Sequence, residues 1–234
     1  EPTWDAYWKN LCCSGQNRML YYRDPANTVI ISPSEFCSVE FAKYYKEDYT
    51  KFERVKILHS SEFDENRTKQ RWNDTPTILG NWSTDNKGKE IVQHIGNMGA
   101  DKFRFVPLRA SLKGDISQFI KDKQQAYLNA DIFLQLSLSE GNSYATLDAL
   151  LCGLPVVASN VGLFYKDVPE DCFVKIEWER NNDREYILEK LEYAWENRES
   201  LGSNGRAWYL QNCAFEAWAA RMHNLLKGDV YEAL

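Results

Sequence analysis

No apolar run in this 234-residue chain approaches the ~18 residues that a membrane-spanning helix needs. No GxGxxG follows any stretch that reads as a strand, which disfavours a dinucleotide-dependent oxidoreductase. The six cysteines (Cys12, Cys13, Cys37, Cys152, Cys172 and Cys213) include no CxxC pair and no His at metal-binding spacing. Reduced, mostly structural thiols are expected, and the adjacent Cys12 and Cys13 read as incidental rather than as a metal site. Positive charge is also short: 28 Lys and Arg face 34 Asp and Glu, a net charge of −6. Indiscriminate binding to nucleic acid or to an anionic membrane is therefore disfavoured, although a local basic pocket stays open. There is no internal repeat and no low-complexity tract. Without a signal peptide, the sequons at Asn66, Asn73 and Asn81 argue only weakly for secretion, and a cytoplasmic location is expected. A first residue Glu1 rather than Met reads as a processed product or a fragment.

What is present is core material. Hydrophobic residues make up 44% of the chain and aromatics 14%, with eight Trp, a composition typical of a soluble globular protein. Strand-like and helix-like stretches alternate. Residues 28–32 read as a short buried strand, 34–47 as a helix capped by Ser34, and 54–58 as a strand. Residues 60–75 are polar and make the best linker. Then follow a strand at 76–80, a helix from Lys87-Gly88 to Met98, a strand at 102–106, a helix at 115–129, a strand at 130–136, a helix at 143–152, a strand at 154–158 and a shorter one at 172–174. From Asp183 onward the chain turns helical, at 184–197 and 203–227. This order predicts an α/β domain with a parallel sheet covered on both faces. Ligands of such sheets bind beyond the C-terminal ends of the strands, where the loops at 81–86, 107–108 and 139–141 fall.

The densest chemistry lies in Ser139-Glu140-Gly141-Asn142-Ser143-Tyr144-Ala145-Thr146-Leu147-Asp148. Asn142 or Ser143 can cap the helix that follows. The unpaired amides of its first turn, from Ser143 to Thr146, suit a phosphate, and Gly141 lets backbone approach a ligand closely. Glu140 can accept from sugar hydroxyls. Asp148 is the lone charge between Gly141 and Tyr165. A carboxylate in so apolar a stretch must be exposed, paired or held for a ligand, because burying it bare is costly. The plainer alternative makes Glu140 a helix-capping acid and Asp148 an exposed helix acid.

Glu140-x7-Asp148, followed by Gly153-Leu154-Pro155-Val156-Val157-Ala158, resembles the E-x7-E motif of retaining GT-B glycosyltransferases, and most of all family 4, or group 1. Thr77-Ile78-Leu79-Gly80 with Lys87-Gly88 resembles that family's first C-terminal-domain strand and its phosphate-binding lysine. Asn129-Ala130-Asp131-Ile132-Phe133 resembles the strand before the motif, and Leu201-Gly202 with Phe215-Glu216-Ala217-Trp218 resembles the ending. The resemblance implies an α/β fold of GT-B type. Residues 1–70 would form an abbreviated N-terminal, acceptor-side segment, and residues 71–234 a Rossmann-like nucleotide-sugar-binding domain with terminal helices.

It also implies roles. Glu140 would hold the transferred sugar, and Gly141, Asn142, Ser143, Tyr144, Ala145 and Thr146 would line the donor and its diphosphate. Asp148 would hold the ribose, Lys87 would neutralise the departing diphosphate, and Pro107 and Leu108 would lie against the nucleobase. Gly80 and Asn81 would form the loop at the end of the first strand. The donor would be UDP- or GDP-linked and the acceptor a glycan, lipid-linked or protein hydroxyl, with no cofactor and no metal, since lysine and amides would do the work of Mg²⁺.

Two departures stand out. Asp148 replaces the second Glu, and Asn81 stands where many members carry Arg, a loss that Arg109 could offset. The expected function is a retaining glycosyltransferase. The alternative is a noncatalytic donor-binding half or subunit that needs a missing N-terminal domain or partner.

Overall fold

The computed structural model describes residues 23–108 and 115–227. Two parallel sheets organise the chain. The smaller pairs β1 (Val29–Ser32) with β2 (Glu53–Lys56) across the helix α1 (Glu35–Thr50). The larger has five strands in the order β4-β3-β5-β6-β7. They are β3 (Thr77–Gly80), β4 (Arg104–Pro107), β5 (Ile132–Gln135), β6 (Val156–Ser159) and β7 (Val174–Ile176), and every neighbouring pair is parallel. Parallel strands need crossovers. Helices α2 (Lys89–Met98), α3 (Ile116–Asn129) and α4 (Tyr144–Cys152) supply the first ones, and α5 (Arg184–Glu196), α6 (Arg198–Asn212) and α7 (Phe215–Lys227) close the described chain.

The strand pleat separates two cores, because successive side chains point to opposite faces. Leu79, Phe133, Val156 and Ala158 pack with Tyr127 of α3, Leu147 and Leu150 of α4, and Tyr209 of α6. Ile78, Ile132, Leu134 and Val157 pack with Ile91 and Ile95 of α2 and Ile187 and Leu191 of α5. The sheet is thus covered on both faces, and β3, β5 and β6 are buried along their whole length. That explains why they read as continuous apolar runs rather than alternating ones.

The helix punctuation is local chemistry. Asp115 accepts from the Ser117 amide at 2.9 Å and caps α3. Asp183 accepts from the Tyr186 amide at 3.1 Å and caps α5. Gly153 ends α4 in the left-handed conformation, φ 75°, and Pro155 follows in the sequence.

Four sequence expectations need correction. The 28–32 strand exists, but Val29 and Ile31 are 37% and 44% exposed, so its apolar composition did not bury it. Lys87 lies in a short 3-10 turn (Asp85–Lys87) rather than in α2. Gly88 breaks the two apart at φ 78°, and a Cβ there would stand 2.7 Å from that of Leu136. The 203–227 helix is two helices with a break at Cys213-Ala214, and the first begins at Arg198. Residues 60–75 are no free linker: Phe63 is buried, the Lys69 amide donates to Cys152 O at 2.8 Å, and Arg206 reaches the Glu65 carbonyl. Cys12, Cys13 and Arg109 lie outside the described residues.

Candidate functional site: a carboxylate, a lysine and a helix start

β5 leads through the loop 136–143 into α4, and Leu79 of β3, with Val106 and Leu108 at the end of β4, belongs to the same core cluster as Ala145 and Leu147 of α4. Gly80 ends β3 and Pro107 ends β4, in register with each other, and the Leu108 amide donates to Gly80 O at 2.7 Å. A Cβ on Gly80 would lie 2.3 Å from Leu134 O, so only glycine fits there. Asn81 is exposed, and Trp82 turns inward to donate its indole N–H to Leu134 O at 3.1 Å.

Lys87 and Glu140 form an ion pair through Glu140 Oε1, which also accepts from Ser137 Oγ at 2.9 Å. The side chains are 28% and 13% exposed, so the pair is accessible without being freely solvated. The Leu138 amide donates to Asn86 O at 2.9 Å, which ties the two loops together. Gly162 packs against this loop: a Cβ there would sit 3.0 Å from that of Glu140.

Ser143 caps α4, its Oγ accepting weakly from the Thr146 amide at 3.4 Å. Thr146 is buried, and its hydroxyl donates to Ser143 O at 2.7 Å. Thr146 therefore already spends its amide on the cap. The Tyr144 and Ala145 amides have no protein acceptor among the described residues. With the positive end of the helix dipole, they are the groups that can take an anion.

The β1–α1 connection reaches onto the same loop. Ser34 Oγ donates to Gly141 O at 2.6 Å, and Asn142 Nδ2 donates to Pro33 O at 2.9 Å. Asn142 Oδ1 is buried without a hydrogen-bond partner, an acceptor still to be satisfied.

Asp148 is 3% exposed. Of the options for a lone carboxylate, the fold takes pairing: Lys123 Nζ of α3 donates to Oδ2 at 2.7 Å, and Ser61 Oγ donates to Oδ1. Ser61 is held in turn, since its amide donates to Tyr209 Oη at 2.8 Å. Burial pushes the Asp148 carboxyl above its ordinary range, against the opposing pull of Lys123 and Ser61. The exposed-acid alternative for Asp148 is thereby excluded.

Sequence reasoning missed several neighbours. Lys123 and Ser61 carry no motif, and only the packing of α3 and of the 60–63 segment on α4 brings them to Asp148. His59 stacks on the exposed Tyr144 with ring centroids 4.9 Å apart, and burial lowers its pKa. Trp178 is a further neighbour that no motif singles out. It is 53% exposed and donates to Leu138 O at 3.2 Å, beside the Glu140 loop. Among the described residues no group of three or more His, Cys, Asp or Glu is placed to hold a metal, and no helix is long and apolar enough to cross a membrane.

The architecture is the α/β fold found in glycosyltransferases of GT-B type. The family described as "Glycosyl transferases group 1" matches residues 89–181. No curated protein sequence matches the chain. Sucrose-phosphate synthase from Thermosynechococcus elongatus superposes with a TM-score of 0.65 at 17% identity, over 86% of this chain and 58% of that one. Anabaena HepE, solved with UDP and glucose, gives 0.64 at 15% identity, over 85% and 62%. The GtfA/B complex gives 0.65 at 12% identity, over 86% and 45%. The chain thus spans between 45% and 62% of the length of these three structures.

Proposed function

We propose that this chain binds a nucleotide-diphosphate sugar and transfers the sugar, with retention, to an acceptor hydroxyl. The observation that carries the reading is the Lys87–Glu140 pair beside the unsatisfied Tyr144 and Ala145 amides, at the C-terminal edge of the sheet. Glu140 would hold the sugar. Lys87 and the α4 amides would take the diphosphate, and Pro107 and Leu108 the base. As the bond from the anomeric carbon to the diphosphate breaks, its electrons go to the phosphate oxygen, where Lys87 stabilises growing charge. The acceptor oxygen bonds to the anomeric carbon, and its proton passes to the departing phosphate. Anabaena HepE, solved with UDP and glucose, supports a nucleotide sugar as ligand. In this mechanism lysine and amides replace a metal, and the acceptor is a glycan, lipid-linked or protein hydroxyl.

A second reading, a donor-binding half that acts with a partner domain or subunit, is favoured by two features. Asn81 puts a neutral side chain beside Gly80, and Asp148 already spends both oxygens on Lys123 and Ser61. Glu140→Ala and Lys87→Ala, each assayed for nucleotide release from UDP- and GDP-sugars, test the first reading; unchanged turnover in both would sink it. Calorimetric binding of UDP or GDP without turnover by the unaltered chain favours the second.

A further inference from the structure

The opposite end of the sheet holds a second polar site. An open cavity of about 730 Å³ is bounded by the segment 66–75, the starts of β3 and β4, and the C-terminal turn of α3. Its lining includes Thr77, Arg104, Gln125 and Asn129 together with Arg67 and Arg71. Thr77 and Arg104 are the first residues of their strands, whereas Gly80 and Pro107 of the candidate donor site are the last. Strands rise about 3.3 Å per residue, so the two sites lie at opposite edges of the sheet.

Charge sets this cavity apart. The chain carries a net −6, yet the described lining contains Arg67, Lys69, Arg71 and Arg104 and no carboxylate. Lys69 is neutralised from beneath by Asp131 at 3.0 Å. Arg67 donates to the neutral amide oxygen of Gln125 at 2.6 Å, and so keeps its charge uncompensated. Arg71 and Arg104 are exposed, and their guanidiniums have no hydrogen-bond or ion-pair partner among the described residues. Three uncompensated guanidiniums around one cavity repel one another, and an anion relieves that repulsion.

The segment that presents Arg71 is pinned on both sides. Asp131, fully buried, accepts from Lys69 Nζ, from the Asn73 amide at 3.0 Å and side chain at 2.6 Å, and from the Thr77 amide at 2.8 Å. Lys69 donates further to Leu128 O and Ala130 O. Trp72 packs edge-on to Trp195, with the Arg198 guanidinium 5.6 Å from its ring. Arg71 thus sits between anchors at 69, 72 and 73, and its backbone is ordered before any ligand arrives, which removes a cost of binding.

From this arrangement we infer that Arg67, Arg71 and Arg104 form a site for a tetrahedral dianion, a phosphate monoester or inorganic phosphate, separate from the donor site. Guanidiniums are suited to phosphate because their planar N–H fork matches its oxygens. The volume exceeds what a bare phosphate fills and falls in the range of small-molecule sites, so a sugar phosphate is the favoured occupant.

The test is calorimetry on the full chain at fixed ionic strength with glucose 6-phosphate, inorganic phosphate and glucose as separate titrants. Glucose 6-phosphate is expected to bind more tightly than inorganic phosphate, and glucose not at all. Arg71→Gln combined with Arg104→Gln should weaken glucose 6-phosphate at least tenfold, with the thermal melting temperature and UDP binding unchanged. Lys87→Met, at the other site, should leave glucose 6-phosphate binding intact. Equal binding by the double arginine variant, loss of binding in Lys87→Met, or no binding of either phosphate at millimolar concentration would each overturn the assignment. Inorganic phosphate binding as tightly as the sugar phosphate would make the site one for the free ion.

Discussion

Lys123 Nζ stands 2.7 Å from Asp148 Oδ2, and this contact joins α3 to α4 through a carboxylate that is 3% exposed. Asp148 is thus a structural tie before it is anything else. In the proposed donor complex, a ribose would have to share an anion already engaged on both oxygens.

Removing the cation tests the tie. Lys123→Met should destabilise the fold at neutral pH by about 2 kcal/mol. That is below the ~3–5 kcal/mol of a fully buried broken pair, because the lysine side chain is 23% exposed. The carboxyl pKa is already raised by burial and should rise further without Lys123. A raised carboxyl pKa means that the folded state holds its proton more tightly, so stability falls as pH rises through the titration. The deficit of the variant should therefore shrink on acidification. Urea midpoints at neutral and mildly acidic pH check this, and a deficit independent of pH would count against it.

At the other carboxylate, Lys87 is shared between Glu140 and the proposed diphosphate. Freeing the lysine should help an anion: Glu140→Gln is expected to tighten UDP about threefold, while Lys87→Met should loosen it about tenfold, in keeping with charge-assisted contacts. Calorimetry on the two variants and the unaltered chain decides, and three equal affinities would remove Lys87 from the site.

The buried thiols give a prediction at high pH. Burial pushes Cys152 and Cys213 up to about 12 each, so both remain protonated and unreactive near neutrality. A raised thiol pKa favours the folded state only while the group is neutral. Their contribution to stability is fully present below the ordinary value of 9.0 and is lost as pH climbs towards 12. Iodoacetamide mapping by mass spectrometry at pH 7.5 should label the partly exposed Cys37 ahead of either. Faster labelling of Cys152 would contradict the packing.

Two glycines let α6 lie against the end of α4. A Cβ on Gly202 would stand 2.3 Å from Gly153 O, backbone that cannot give way. Gly202→Ala should cost about 3 kcal/mol, at the upper end of overpacking. Gly153→Ala should cost about 1–2 kcal/mol for its left-handed backbone. Thermal denaturation ranks the two, and a neutral Gly202→Ala would mean that α6 packs elsewhere.

The strands and the site loop were readable in the sequence for different reasons. β3, β5 and β6 are apolar because both faces are covered, and Gly153 with Pro155 punctuates α4 as local rules require. Lys87 and Glu140, 53 residues apart, were assigned to one candidate site through a resemblance, since no local pattern relates them, and their ion pair was not foreseen. What stayed hidden was long-range compensation. Residues 60–75 look like a linker because Ser61, Lys69 and Asn73 are polar, and their buried partners Asp148 and Asp131 lie 87, 62 and 58 positions away. Val29 and Ile31 misled in the other direction, being apolar on a two-stranded sheet that leaves them exposed.

Asp131 also decides where this chain can be cut. A shortened version that begins at Arg71 would keep the five-stranded sheet but lose Lys69, leaving a fully buried carboxylate with amide donors and no ammonium. A version that begins before Ser61 would retain Lys69, the Lys69 amide on Cys152, the Ser61 hydroxyl on Asp148 and the aromatic plug of the core. For anyone trimming the molecule, the seam lies upstream of Ser61 rather than at the far end of the polar stretch.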